Sequence, residues 1–240
     1  RSTPSIRRQR QMCIRDRISY NIDISGSLTE SSYREYISKQ YIKKIFIGAN
    51  VTSIGQGAFQ SATRLEEVEF DISCNLTTVE DNVFRSCIYL KTVYNIPNIF
   101  NWGNSMFREC SSLTTATFSP LFKNANIKDW TFYACSSLTE ITFPASVTTI
   151  KPLAFSLCTL LKKVIFVEGS QLNTIGTNAF ASSGLTTIYK DVISSTILSL
   201  GPNQKIGGKD NVNVIGTKVF TGENNVLTQT IVQSLSLIHI

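Results

Sequence analysis

Histidine is almost missing from this sequence: one residue, His239, among 240. Upstream of it, Ser/His and Cys/His nucleophile pairs and His-ligated metal centres are therefore excluded. No apolar run reaches about 18 residues, so no membrane-spanning helix is expected. There is no phosphate-binding loop, no nucleophile elbow, no paired glycosidase carboxylate motif and no Asp/Asn–Gly calcium loop. Nothing in the sequence calls for a cofactor or a catalytic group, so the expectation is a protein that is not an enzyme.

Both ends read as foreign. Residues 7–17, RRQRQMCIRDR, resemble the translation of a transposon-end sequencing adapter, and residues 235–240, LSLIHI, resemble the translation of its reverse complement. Residues 1–17 and 235–240 are accordingly expected to be scars outside the fold, and the rest to be a stretch of a longer protein. Setting them aside removes six of 23 basic and one of 17 acidic residues, and the net charge falls from +6 to +1. That near balance removes the nucleic-acid reading that a basic arm would otherwise suggest. His239 and Cys13 leave with the scars, and no secretory signal is recognisable in what remains.

What is there is a repeat. LEEVEF from Leu65, LTTATF from Leu113, LTEITF from Leu138 and LKKVIF from Leu161 share L-x-x-[VIA]-x-F, and the segments from Ile42, Leu90 and Leu185 are variants. Successive copies start 23 to 25 residues apart. Phe59, Phe84, Phe107, Phe132, Phe155 and Phe180 form a second column. Five residues before each stands Ile54, Val79, Trp102, Ile127, Ile150 or Ile175, and three after it Ala62, Cys87, Cys110, Cys135, Cys158 or Ser183. Ile215 and Phe220 read as the same pairing in a further copy.

Each copy carries its own physics. L-x-x-[VI]-x-F alternates and is rich in β-branched and aromatic residues, which predicts a strand. V-T-S-I from Val51 and V-T-T-I from Val147 predict a second short strand. The segments around Phe59 and Phe155 are too short for a stable helix and are expected to form a single helical or 3₁₀ turn. No copy can bury its own Leu, Ile and Phe, but stacking like on like makes a continuous core with strands ~4.8 Å apart. The expected fold is an α/β-type repeat solenoid of short β-strands and single helical turns.

Residues 138–158, LTEITFPASVTTIKPLAFSLC, closely resemble the repeat of the BspA-like leucine-rich-repeat family. The resemblance covers residues 42–185 and extends more weakly to 220. It implies a right-handed leucine-rich-repeat solenoid in a cell-surface or secreted binding protein of a bacterium or protist, whose partner is a protein ligand such as a host or matrix protein. An intracellular scaffold, or the repeat region of a larger enzyme, are the alternatives. Residues 41–226 are assigned to the solenoid, with six clear repeats and a seventh carrying an insertion at about 190–211. Residues 18–40 lack the columns and are expected to be an N-terminal cap or degenerate repeat, drawn as a capping hairpin with a short helix near 33–38. Residues 227–240 read as a truncated repeat. Residues 95–100 and 121–123 depart from V-T-x-I.

The cysteine column suggests metal at first sight, but one thiol per coil makes a line rather than a tetrahedron. Ala62 and Ser183 in the same column point to buried packing. Glu66, Glu67, Glu69 and Asp71 read as a solvated face. Asn50-Val-Thr52 and Asn75-Leu-Thr77 match the glycosylation sequon, but the repeat supplies those threonines anyway. In a solenoid the outward strand positions line up, so the candidate ligand-binding face is Phe46, Glu66, Glu69, Lys91, Tyr94, Thr117, Thr142, Lys162, Ile165 and Tyr189. Exposed aromatics on a rigid sheet suit a protein partner.

Overall fold

The computed structural model describes residues 19–22, 26–29, 39–167, 170–172, 174–185, 187–190, 199–200, 213–215, 218–223 and 226–231, with side chains chiefly of residues 39–185. The expected scars, the helix expected at 33–38 and most of the insertion at 190–211 lie outside these residues. The strands are β1 (Ser19–Ile22), β2 (Gly26–Leu28), β3 (Lys44–Ile47), β4 (Val51–Ile54), β5 (Glu67–Phe70), β6 (Thr78–Val79), β7 (Thr92–Ile96), β8 (Asn101–Trp102), β9 (Thr115–Phe118), β10 (Asn126–Ile127), β11 (Glu140–Phe143), β12 (Thr149–Ile150), β13 (Lys163–Phe166), β14 (Thr174–Ile175), β15 (Thr187–Lys190), β16 (Ser199–Leu200), β17 (Asn213–Ile215), β18 (Lys218–Glu223) and β19 (Val226–Ile231).

They build a parallel β-solenoid. L-x-x-[VI]-x-F strands pair with their equivalents one coil away, Ile45 opposite Val68 and Val68 opposite Val93. The short second strands form another parallel ladder, with Ile54 opposite Val79 and Ile127 opposite Ile150. The apolar columns fill the space between. Leu65, Leu90, Leu113, Leu138, Leu161 and Leu185 are buried, as are all six residues of the Ile54–Ile175 column. The six Phe rings from Phe59 to Phe180 are 0 % exposed. They stack in one pile, with successive centroids 5.3, 5.6, 5.5, 5.1 and 5.2 Å apart.

The arc holding these rings is not helical, which corrects the expected helical turns. Among the described residues the one helical element is the 3₁₀ turn Lys39–Tyr41. In each arc two residues four apart have positive φ: Gly57 and Ser61, Asn82 and Ser86, Leu153 and Leu157, and so on through Asn178 and Ser182. This alternation sends every second N–H to the next coil. Gly57, Phe59 and Ser61 donate to the carbonyls of Asp81, Val83 and Arg85, at 3.0, 2.9 and 2.8 Å. The N–H groups between them close turns, as from Gln60 to Gly57 at 2.9 Å. The physical reason is spacing. A helix with its side chains is about 10 Å wide, so it can follow strands stacked at ~4.8 Å only if the stack curves into a horseshoe. A turn ladder follows the same spacing, and it brings the rings into contact.

Two other expectations are corrected. β1 pairs in parallel with β3 and β2 with β4, so the N-terminal segment continues both ladders and is no hairpin. Ladder pairing needs main-chain groups only, so it survives the loss of the side-chain columns. β17 pairs with β15, placing Ile215 opposite Tyr189 in the first ladder, and Phe220 lies in β18, antiparallel to β19. Spacing between two residues, without the other columns, did not fix the register there. The ladders themselves are interrupted. The first runs β1-β3-β5-β7-β9 and resumes as β11-β13-β15-β17; the second runs β2-β4-β6-β8 and resumes as β10-β12-β14-β16.

The break falls where the sequence departs from the repeat. Asn95 has φ 58° and bulges β7, so the pairing with β9 skips between Val93 and Ile96. Side chains replace main-chain bonds nearby. Asn124 Oδ1 accepts the Ile99 N–H at 2.8 Å while its Nδ2 donates to the Ile99 carbonyl. Asn98 Oδ1 accepts the Lys123 N–H at 3.0 Å. The arc ladder and the Phe107–Phe132 stack carry on across the gap.

Candidate functional site

Alternation along each strand turns every second side chain outward, and register decides which of these become neighbours. Phe46 stands opposite Glu69, and Glu69 opposite Tyr94. Phe46 and Glu69 are half-buried, while Tyr94 is exposed. Thr142 stands opposite Ile165, and Ile165 opposite Tyr189, whose side chain lies outside the described set. The ten expected residues therefore fall into two groups, divided by the ladder break. Thr117 lies at the bulge, where its hydroxyl accepts the Asn95 N–H at 3.1 Å. Lys162 is exposed at the entry to β13.

The charged stripes resolve into pairs across coils. Lys91 Nζ lies 2.8 Å from Glu66, Lys44 Nζ 3.0 Å from Glu67, and Lys163 Nζ 3.8 Å from Glu140. The Lys91 hydrogen bond holds the Glu66 carboxyl below its ordinary value. These pairs are solvent-screened and contribute little to stability. They do cancel charge along the face, leaving Glu69 and Tyr94 as its more distinctive chemistry.

A second polar cluster sits on the arcs, beside the Phe column. Glu109 accepts from Ser86 Oγ at 2.7 Å, Arg85 Nε at 3.3 Å and Arg108 Nε at 3.0 Å. Desolvation opposes ionisation of Glu109, but these bonds outweigh it and hold its pKa below the ordinary value. Arg108 lies over the Tyr133 ring, 5.0 Å from its centroid. Sequence reading missed this cluster. Its signal was the column next to Phe: Arg85, Arg108 and Tyr133 each follow a core Phe by one residue.

The cysteines make a chain of their own. Cys87, Cys110, Cys135 and Cys158 are buried and free. Each thiol donates to the carbonyl of the Phe one coil earlier, at 3.2, 3.2, 3.2 and 3.0 Å. Burial pushes the Cys158 thiol up to about 12 and raises Cys110 and Cys135 well above their ordinary value. Cys74, half-buried and pushed up to about 11 by desolvation, reaches the Gly48 carbonyl at 3.7 Å. Thiols held protonated are poor nucleophiles and poor metal ligands. Among the described residues no group of three His, Cys, Asp or Glu is placed to hold a metal ion, and no helix is long and apolar enough to cross a membrane.

Comparison with known proteins agrees with this architecture. The family described as BspA type leucine rich repeat region, in six copies, matches residues 32–126, 77–204 and 125–239. The fold is similar to that of a leucine rich cell surface protein from Faecalibacterium prausnitzii A2-165, with 21 % identity and a TM-score of 0.52 over 88 % of this chain and 53 % of that one. It is also similar to the pneumococcal vaccine antigen PcpA, with 19 % identity and a TM-score of 0.53 over 74 % of this chain and 51 % of that one. The chain thus spans about half the length of these two structures. No curated protein matches it.

Proposed function

The chain belongs to the BspA-type leucine-rich repeat family, and from that premise we propose that it is a non-catalytic protein-binding module of a cell-surface or secreted adhesion protein. The observation that carries the reading is the column Phe46–Glu69–Tyr94 on a parallel sheet, with the flanking charges Glu66 and Lys91 already paired to each other. An exposed tyrosine beside a carboxylate that has no ion-pair partner among the described residues, on a hydrogen-bonded sheet, offers an anchor at low entropic cost. The partner class is a host or matrix protein, and the surface location is supported by the relative described as a cell surface protein.

The test is binding of the whole chain to a panel of purified extracellular-matrix proteins. Tyr94→Ala and Glu69→Lys each weaken the captured interaction about tenfold or more, the size of a modest hot spot, with unchanged melting temperature. Lys128→Ala, on the second-ladder side, has little effect. Loss of binding in Lys128→Ala alone, with both strand-face variants unaffected, sinks the proposal.

A further inference from the structure

On the second-ladder side, away from the outward face of the first sheet, lies a cleft of about 410 Å³ lined by Gln56, Thr78–Val79, Glu80, Asp81, residues 100–103 and Lys128. It opens where β8 and β10, successive strands on the second-ladder side, are not paired. Phe100, at its rim, is 85 % exposed, the highest value among the large apolar side chains described. Trp102, on its wall, is 4 % exposed, and its indole Nε1–H has no acceptor among the described residues.

The charges of this cleft behave unlike those of the strand face. Glu80 accepts the Gln56 N–H at 2.7 Å and Asp81 accepts the Asn104 N–H at 2.7 Å, so both carboxylates are fixed by main chain of the neighbouring coil. Yet neither carboxylate forms an ion pair with Lys128, which lines the same space. A cationic guest meets Lys128 and an anionic one meets Glu80 and Asp81. A neutral ligand rich in hydroxyls suits both signs: its O–H groups donate to the free carboxylate oxygens, and its oxygens accept from Lys128 and the Asn101 amide. An aromatic ring with an open face, such as Phe100, takes the C–H face of a sugar, because those hydrogens meet the negative side of the ring quadrupole. The volume lies within the ~300–1,000 Å³ of ordinary ligand clefts.

We propose that the Phe100–Trp102–Lys128 cleft, walled by Glu80 and Asp81, is a carbohydrate-binding site for a neutral saccharide, separate from the protein-binding strand face. The experiment titrates the full chain with cellobiose, maltose, lactose and diacetylchitobiose up to about 10 mM, a range that detects millimolar affinity, by saturation-transfer NMR, with argininamide as a cationic arm. The expected result is binding of at least one disaccharide, weakened about tenfold by Phe100→Ala and measurably by Lys128→Ala, with the melting temperature kept and Tyr94→Ala without effect. Phe100 is so exposed that its loss leaves the core intact. No binding of any of the four sugars, binding that Phe100→Ala leaves unchanged, or binding of argininamide in their place overturns the proposal. None of these outcomes bears on the matrix-protein panel, so the two proposals fail separately.

Discussion

Leucine is a poor occupant of left-handed backbone, yet Leu153 and Leu157 sit at φ 57° and 62°, and Trp130 at 52°. A non-glycine residue there costs roughly 1–2 kcal/mol. The cost is tolerated because that conformation turns the Leu157 N–H to the Ala181 carbonyl at 2.9 Å, extending the turn ladder. Leu157 is only 38 % exposed, so most of its side chain is still withdrawn from water. Losing that burial and gaining the chain entropy of glycine together outweigh the relieved strain, so Leu157→Gly is expected to destabilise the protein by roughly 1 kcal/mol, read as a lowered urea midpoint; a rise shows that the strain outweighs the packing. The buried thiols set a second residue-scale expectation. Cys158 has an ordinary value of 9.0 and is pushed up to about 12 when folded. Above pH 9 the unfolded chain therefore loses a proton that the folded chain keeps, and stability falls as pH rises toward 12. Cys158→Ala, with Ala62 as precedent in the same column, should make the alkaline fall shallower; an unchanged slope refutes the assignment.

At the scale of the element, much was legible because several columns agreed over many copies. The strands, the Phe pile and the buried cysteines all follow from period and residue type. The arc was misread because its signal is conformational: Asn82, Ser86, Asn178 and Ser182 favour or tolerate left-handed backbone, but Leu153 and Trp130 in the same positions hide the pattern. The strand face was legible as a list of outward positions, but its division was not, since pairing depends on which main-chain groups meet. The Phe100 cleft left no repeat signature at all, because it arises from the departures. Two substitutions separate repeat from departure. Phe132→Ala empties a fully buried site between two stacked rings and should cost ~3–5 kcal/mol; a variant as stable as the parent means the pile is not the spine. Asn124→Ala strips the partner from the N–H of buried Ile99, which should cost ~1–3 kcal/mol. An unchanged denaturation midpoint in Asn124→Ala means the side-chain bridge is not what joins the coils at the break.

The whole molecule is a one-dimensional stack, in which each coil is stabilised by its neighbours and local openings spread along the axis. A uniform stack transmits a defect equally in both directions. This one has a seam: both strand ladders stop between the coil of β8–β9 and that of β10–β11, with β8 and β9 paired only backward. Across the seam remain the arc bonds, such as Phe107 N–H to the Thr131 carbonyl at 2.9 Å, the Asn98 and Asn124 bridges, and one Phe–Phe stack at 5.5 Å. Each lost ladder bond removes ~0.5–1.5 kcal/mol of coupling, so the seam is expected to be the weakest inner interface among the described coils. Native-state hydrogen exchange reads this directly. Phe155→Ala, placed beyond the seam, should speed exchange at the amides of Ile141 and Val164 far more than at those of Val68 and Val93. Phe84→Ala, placed before it, should do the reverse. Equal acceleration on both sides in both variants means the arc and the Phe pile alone couple the stack fully, and the seam then has no energetic meaning.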